Sequence, residues 1–284
     1  MKTKPNFFIV GTPKSGTTSL FNYLEQHPNI FVPKIKEPHF FSAAEVANSY
    51  YKTPIINKLE DYLNLYKDAS NLDALGDFST TYLYNLKCAG EIKKFNSKSK
   101  IIILLRNPVE RAISHYLMDL NLGYVRIPLM EILKNPVNYA KYYEQYISRG
   151  YYSEQIKNYF NHFDTSNILI ILSDDFFNNQ GYIISNIFEF LEVDTAFKPN
   201  FEYIYNQYSV PKYSFVKLLK QSNTLNNALN FIPKTIKNKI KFAFIDQNAK
   251  KPEFLEEKLI LKELFKKDIM KTSKEIKKDL RMWL

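Results

Sequence analysis

One cysteine, Cys88, stands among 284 residues, so no disulfide can form within the chain. Histidine is scarce too, with four residues, and no Cys/His cluster offers the spacing of metal ligands. No apolar run approaches the roughly 20 residues that a helix needs to span a bilayer. The N-terminal segment carries two lysines and a four-residue apolar stretch, Phe7 to Val10, before Gly11, which is too short for a signal-peptide core. Repeats and low-complexity stretches are absent. Together these absences exclude a disulfide-stapled, a membrane-spanning and a metal-built protein, and they lead us to expect a cytoplasmic one.

What is present favours an ordered fold. Apolar residues make up 45% of the chain and aromatics 15%, and the length suits one domain over 1–284 with a substantial core. The net charge of +10 is uneven. Residues 1–211 balance at 21 basic and 21 acidic side chains, whereas 212–284 hold 18 basic against 8 acidic. Two readings of this basic region stand. It meets an anionic partner, which would put the protein at the inner face of a membrane, or it is a solvated lysine-rich face. A nucleic-acid partner is not expected, because no recognised motif or basic-aromatic groove pattern accompanies the charge.

Short apolar runs alternate with helical patterns through the first two-thirds, which predicts an α/β fold with a parallel sheet flanked by helices. Strands are expected at Phe7–Val10, Ala74–Gly76, Ile101–Leu105 and Ile168–Leu172. Helices are expected at Thr17–Gln26, from Pro108, at Ser153–Phe163 and at Tyr182–Leu191. A loop follows from Asn200 to Lys212, and amphipathic helices then run from about 213 to 284. No domain boundary stands out; the core covers about 5–195.

The most informative segment is Gly11-Thr12-Pro13-Lys14-Ser15-Gly16-Thr17-Thr18-Ser19, set between the first strand and first helix. Backbone N–H groups in such a turn, together with the helix N-terminus, make a pocket for a phosphate or sulfate. Gly11 and Gly16 allow the bend, Ser15, Thr17 and Thr18 add hydroxyl donors, and Lys14 adds a point charge. A nucleoside-triphosphate P-loop would carry its lysine directly after the second glycine. Here that position is Thr17 and the lysine precedes Gly16 by two, so a kinase or NTPase is disfavoured.

This string resembles the 5′-phosphosulfate-binding loop of sulfotransferases that use 3′-phosphoadenosine 5′-phosphosulfate (PAPS), a family on a P-loop-like α/β fold. The resemblance implies that Lys14 lies beside the oxygen bridging phosphate and sulfate, and that Ser15, Gly16, Thr17, Thr18 and Ser19 hold the 5′-phosphate. A second segment, Ile101 to Ser114, resembles the family's 3′-phosphate motif, with Arg106 and Ser114 eight residues apart. Arg106 leaves the end of a buried strand and can grip a phosphate two-pronged. Arg111 is left as a helix-capping or solvated side chain. The implied product is adenosine 3′,5′-bisphosphate, and no metal is called for.

Lys36-Glu37-Pro38-His39-Phe40-Phe41 resembles the heparan-sulfate type of sulfotransferase, which makes Glu37 the expected base. Pro38 keeps Glu37 out of helical geometry. His39 is the rival base, and an ion pair of Glu37 with Lys34 or Lys36 is the plain alternative. Asp77, in Gly76-Asp77-Phe78-Ser79-Thr80-Thr81-Tyr82, sits where the family carries an acceptor-cleft segment, although Thr80 replaces the family's proline. Asp77 is expected to orient the base or touch the acceptor, and Lys36 and His39 are further acceptor-side candidates. Tyr152 either contacts the nucleotide or packs in the core, and Lys212 is a candidate phosphate contact. The implied acceptor is a hydroxyl or amine of a sugar or glycolipid. The opposing hypothesis is an anion-binding module of the same fold without chemistry, against which Lys14, Glu37, Arg106 and Ser114 all speak.

Overall fold

A computed structural model of the chain describes residues 3–51, 53–69, 72–202, 210–211, 245–246, 250 and 252–284. Five parallel strands form its sheet: β1 (Phe7–Gly11), β2 (Ile30–Phe31), β3 (Ala74–Phe78), β4 (Lys100–Leu105) and β5 (Ile168–Leu172). Their order is β2-β3-β1-β4-β5, so the first strand lies in the middle. Chain order and sheet order part on either side of β1, and such a switch point opens a crevice at the carboxyl ends of the strands. β2 lies outside the four strands read from the sequence, because two residues carry no periodic signal. A two-residue antiparallel pair, β6 (Val210–Pro211) with β7 (Ile245–Asp246), stands apart from the sheet.

Alternation along the strands feeds two cores. Phe8, Val10, Ile101, Ile103 and Leu105 pack on one face against α4 (Leu86–Phe95), α5 (Pro108–Leu122) and α8 (Tyr152–His162). Phe7, Ile9, Ile102 and Leu104 pack on the other against α1 (Thr17–Leu24) and α10 (Gln180–Leu191), with Phe176 of α9 (Ser173–Asn178). Strands buried on both faces read as continuous apolar runs, and FFIV and IIILL are such runs. Gly76 sits opposite Phe7 in the ladder, where an added Cβ would lie 2.3 Å from the Phe7 ring. Any side chain there would displace that ring from the core.

Shorter helices α2 (Ala43–Ala47), α3 (Leu59–Asn64), α6 (Leu129–Lys134) and α7 (Ala140–Tyr146) fill the connections. The last helix, α11 (Leu255–Ile276), buries Leu261, Phe265 and Ile269 in the first core. Asp268 of α11 also caps α8: its carboxylate accepts from Tyr152 N at 2.6 Å and Ser153 Oγ at 2.6 Å. A carboxylate at a helix N-terminus satisfies free N–H groups and complements the dipole. The C-terminal helix is therefore bonded to the element that follows the site. Its lysines 262, 266, 267, 271 and 274 are exposed, and residues 212–244 of the basic region lie outside the described residues.

Candidate functional site

β1 runs into the turn at Gly11 and α1 starts at Thr17, so the phosphate-loop geometry read from the sequence is present. Thr12 N donates to Leu104 O at 2.7 Å, which ties the turn to β4. Lys14 (φ 70) and Gly16 (φ 99) both take left-handed backbone. At Gly16 a Cβ would also lie 2.9 Å from the Phe177 ring, so glycine is required twice over. Gly16 is the N-cap of α1, and among the described residues no side chain caps that helix end. The first-turn N–H groups thus keep their dipole for a ligand. Ser15 differs from its expected place: it is fully buried and its hydroxyl pairs with Thr12 Oγ1, beneath the loop.

β4 delivers Arg106 beside this turn, where its guanidinium donates to Lys14 O at 2.8 Å. Asn107 caps α5, accepting from Val109 N at 3.0 Å, and Pro108 takes the first helical position. That start aims Ser114 into the same cavity. Glu110 pairs with Lys258 of α11 at 3.2 Å. Lys14 Nζ donates to Met118 Sδ at 3.4 Å, and burial first, then the charge of Arg106, brings its pKa down to about 8. Among the described residues, no carboxylate lies within ion-pairing distance of Lys14 or Arg106. With a thioether and a backbone carbonyl as their direct partners, and the Asp119 charge reaching Lys14 only from beyond ion-pairing distance, these two cations make a site that gains by taking up an anion.

Across the cavity stands Glu37. Its Oε1 accepts from Lys36 Nζ at 3.0 Å, so the expected ion pair is formed. Its Oε2 accepts from Thr80 Oγ1 at 2.9 Å and from Thr80 N at 3.4 Å. A proline at position 80 could supply neither donor. Burial works to raise the Glu37 pKa, but Lys36, His39 and the Thr80 hydroxyl outweigh it and hold the carboxyl below its usual range. His39 lies 3.9 Å from Glu37 through Nε2, and its Nδ1 is 3.1 Å from Thr81 Oγ1. Burial lowers its pKa, so the ring is neutral near pH 7.

Two expected site residues lie behind the cavity wall. Asp77 is fully buried and accepts from Tyr62 at 2.6 Å, Ser79 at 2.7 Å and Tyr82 at 2.9 Å. Burial pushes its pKa up to about 6 against those hydrogen bonds. Acceptor contact by Asp77 is corrected accordingly; it steadies the region through Ser79, whose Oγ accepts from His39 N at 3.2 Å. Tyr152 is 1% exposed and donates to Arg106 O at 2.9 Å, so it supports the arginine from beneath and packs in the core. Arg111 is no solvated cap either, because it is buried and donates to Gln145 O at 3.3 Å. Lys212 lies outside the described residues.

The cavity measures about 1070 Å³. Lys14, Gly16, Thr17, Thr18, Ser19, Arg106 and Ser114 line it together with Lys36, Glu37 and His39. Sheet order explains the division: β1 and β4 present the cations, whereas β2 and β3 lead into Glu37 and Thr80. Sequence reasoning missed the wall beyond Glu37. There Arg149 donates to Glu45 at 2.6 Å and lies 3.5 Å from Glu144. Asp119 accepts from Tyr50 at 2.5 Å, Tyr51 at 2.7 Å and Tyr146 at 2.8 Å. Partners so far apart in sequence leave no local signal. Among the described residues, no group of three or more His, Cys, Asp or Glu is placed to hold a metal ion, and no helix is long and apolar enough to cross a membrane.

A family model for the sulfotransferase domain matches residues 4–263. The chain is similar to the membrane-associated sulfotransferase kil1 of Dictyostelium discoideum, with 37% identity over 112 residues, covering 39% of this chain and 22% of that protein. It is 24% identical over 251 residues to carbohydrate sulfotransferase 15 of Homo sapiens, covering 68% of this chain and 44% of that one. The chain thus spans less than half the length of these curated relatives. A solved sulfotransferase from Alicyclobacillus acidocaldarius superposes over 99% of both chains with a TM-score of 0.71 and 25% identity.

Proposed function

The chain belongs to the sulfotransferase family, and from that premise we propose that it moves a sulfuryl group from PAPS to a hydroxyl or amine of a carbohydrate or glycolipid. One observation carries this reading: two cations with no carboxylate at ion-pairing distance and a helix end with no side-chain cap, both among the described residues, face a fixed carboxylate across a single cavity. Such a donor set fits a ligand with two separated anionic groups better than a linear triphosphate. PAPS supplies a sulfuryl group on a phosphate oxygen: the S–O bond breaks with its electron pair left on that oxygen, while a bond to the acceptor forms.

Lys14, Gly16, Thr17, Thr18 and Ser19 hold the 5′ end, and Arg106 with Ser114 holds the 3′-phosphate. Lys14, protonated near neutral pH, steadies the charge that grows on the departing oxygen, an interaction stronger in the transition state than in the ground state. Glu37, ionised at neutral pH and held at Oε2 by Thr80, takes the acceptor proton. Lys36 keeps the carboxylate charged at some cost in basicity, and neutral His39 borders the acceptor. The carbohydrate assignment draws on the similarity to carbohydrate sulfotransferase 15. The test is incubation of the full chain with labelled PAPS and a glycan, glycolipid and phenol panel, read by mass spectrometry. Label on a sugar is the expected result; label confined to phenols, or no transfer to any class, contradicts it.

A further inference from the structure

Charge is handled differently on the wall beyond Glu37. Arg149 is only 4% exposed at its side chain, and two carboxylates, Glu45 at 2.6 Å and Glu144 at 3.5 Å, share it. Both carboxylates remain open, at 22% and 40% side-chain exposure. Lys141 also lines this end. Its charge and that of Arg149 cancel those of Glu45 and Glu144, and Lys36 is held by Glu37. Among the described residues, the charges at this end therefore balance, and exposed Lys141 is the cation there that no carboxylate holds within ion-pairing distance.

Its other features suit a neutral one. Carboxylate oxygens accept hydrogen bonds and donate none, so Glu45 and Glu144 can receive hydroxyl groups but repel carboxylates and sulfates. Tyr50 and Tyr51 line the same cavity, with their hydroxyls taken up by Asp119 and their rings packed on each other and on Tyr124. Ring faces beside hydroxyl acceptors match the apolar and polar sides of a sugar ring.

We propose that the acceptor is an uncharged, polyhydroxylated sugar and that uronate- or sulfate-bearing polyanions are poor acceptors. This rests on the sulfotransferase reading above. An anionic glycan could recruit Arg149 only by displacing Glu45 from a buried ion pair, and it would then leave that carboxylate uncompensated.

The experiment compares transfer from PAPS by the full chain to a neutral glucan tetrasaccharide and to a desulfated heparin tetrasaccharide, at two salt concentrations. Octyl glucoside micelles form a third arm, separating a glycolipid headgroup from a free glycan. The expected kcat/KM for a neutral acceptor exceeds that for the uronate glycan by about tenfold or more, the scale of a like-charge mismatch. Glu144→Gln, chosen because it leaves the tighter Glu45–Arg149 pair intact, should narrow that ratio. Its affinity for adenosine 3′,5′-bisphosphate, measured in parallel, reports that the site is still folded. Equal or preferred use of the uronate glycan, with a KM that rises with salt, overturns the proposal. So does transfer to neither class by protein that binds the bisphosphate. Failure to bind the bisphosphate at all strikes the underlying reading instead.

Discussion

The two halves of the cavity sit over neighbouring strands yet treat positive charge in opposite ways. Over β1 and β4, Lys14 and Arg106 are held by a thioether and a backbone carbonyl, with no carboxylate partner among the described residues. Over β2 and β3 and the wall beyond, Lys36 and Arg149 are each bound to carboxylates. A cation left unpaired in a partly buried site destabilises the empty protein and rewards the anion that fills it. A paired cation offers no such gain. What it does is fix the carboxylates: Glu37, proposed to take the acceptor proton, and Glu45 and Glu144, proposed to face the acceptor. The number of cations matters less than whether each is already neutralised.

The sharpest way to break this comparison is to remove one group from each half. Glu37→Gln keeps shape but removes the base, so bisphosphate affinity should stay nearly unchanged while turnover falls roughly 10²–10⁴-fold. Lys14→Ala should damage both affinity and turnover, because that ammonium serves the bound co-substrate as well as the transition state. Steady-state kinetics beside calorimetry separates the two patterns. Unchanged turnover in Glu37→Gln would pass the role of base to His39, and His39→Ala would test that directly.

A smaller effect sharpens the nucleotide half through pH. Burial and Arg106 bring the Lys14 pKa down to about 8 in the free protein, and a bound anion must raise it. The cation is therefore present below pH 8 and lost from the free site above it. Bisphosphate affinity should fall as pH rises past about 8, approaching about tenfold per pH unit for one linked proton. Titrations in buffers of different ionisation enthalpy should show proton uptake between pH 8 and 9. In Lys14→Met that uptake should vanish.

The smallest effect concerns the acceptor half. Thr80→Val removes the hydroxyl that donates to Glu37 while retaining the backbone N–H. Turnover should drop only about three- to tenfold, the scale of one ordinary hydrogen bond, because the backbone N–H still holds the carboxylate. Because the Thr80 hydroxyl lowers the Glu37 pKa, its loss raises that pKa. The acid-side fall of kcat/KM should then begin at higher pH, and Thr80→Ser should restore it. A uniform loss of rate with no shift of the profile would reduce Thr80 to packing.

Much of the half proposed to take the nucleotide was legible as one cavity wall because its parts are local. Gly11 to Ser19 is one strand-turn-helix, and Arg106 and Ser114 lie on the next strand-to-helix junction, so spacing along the chain was enough to read both. The same adjacency misled at Asp77 and Tyr152. Each stands three residues from one that does line the cavity, Thr80 and Arg149, yet β3 and the start of α8 turn them into the protein, where Tyr62, Tyr82 and the Arg106 carbonyl await them. Ser15 is hidden for the same reason, one position from the exposed turn. The acceptor wall was illegible for a different reason. Glu45 and Arg149 are 104 residues apart, and Tyr50 meets Asp119 across 69. Only the packed fold brings these pairs together, and in a tyrosine-rich chain no single tyrosine advertises its partner.

The account turns on two separated anion sites, and calorimetric titration with adenosine 3′,5′-bisphosphate and with ATP tests that most directly. The wild-type chain should bind the bisphosphate far more tightly than ATP. Arg106→Ala should cost about 2 kcal/mol of that affinity, the scale of a charge-assisted hydrogen bond, while leaving the weak ATP binding little changed. Equal affinity for the two nucleotides in the wild-type chain, or a bisphosphate affinity indifferent to Arg106→Ala, would contradict it.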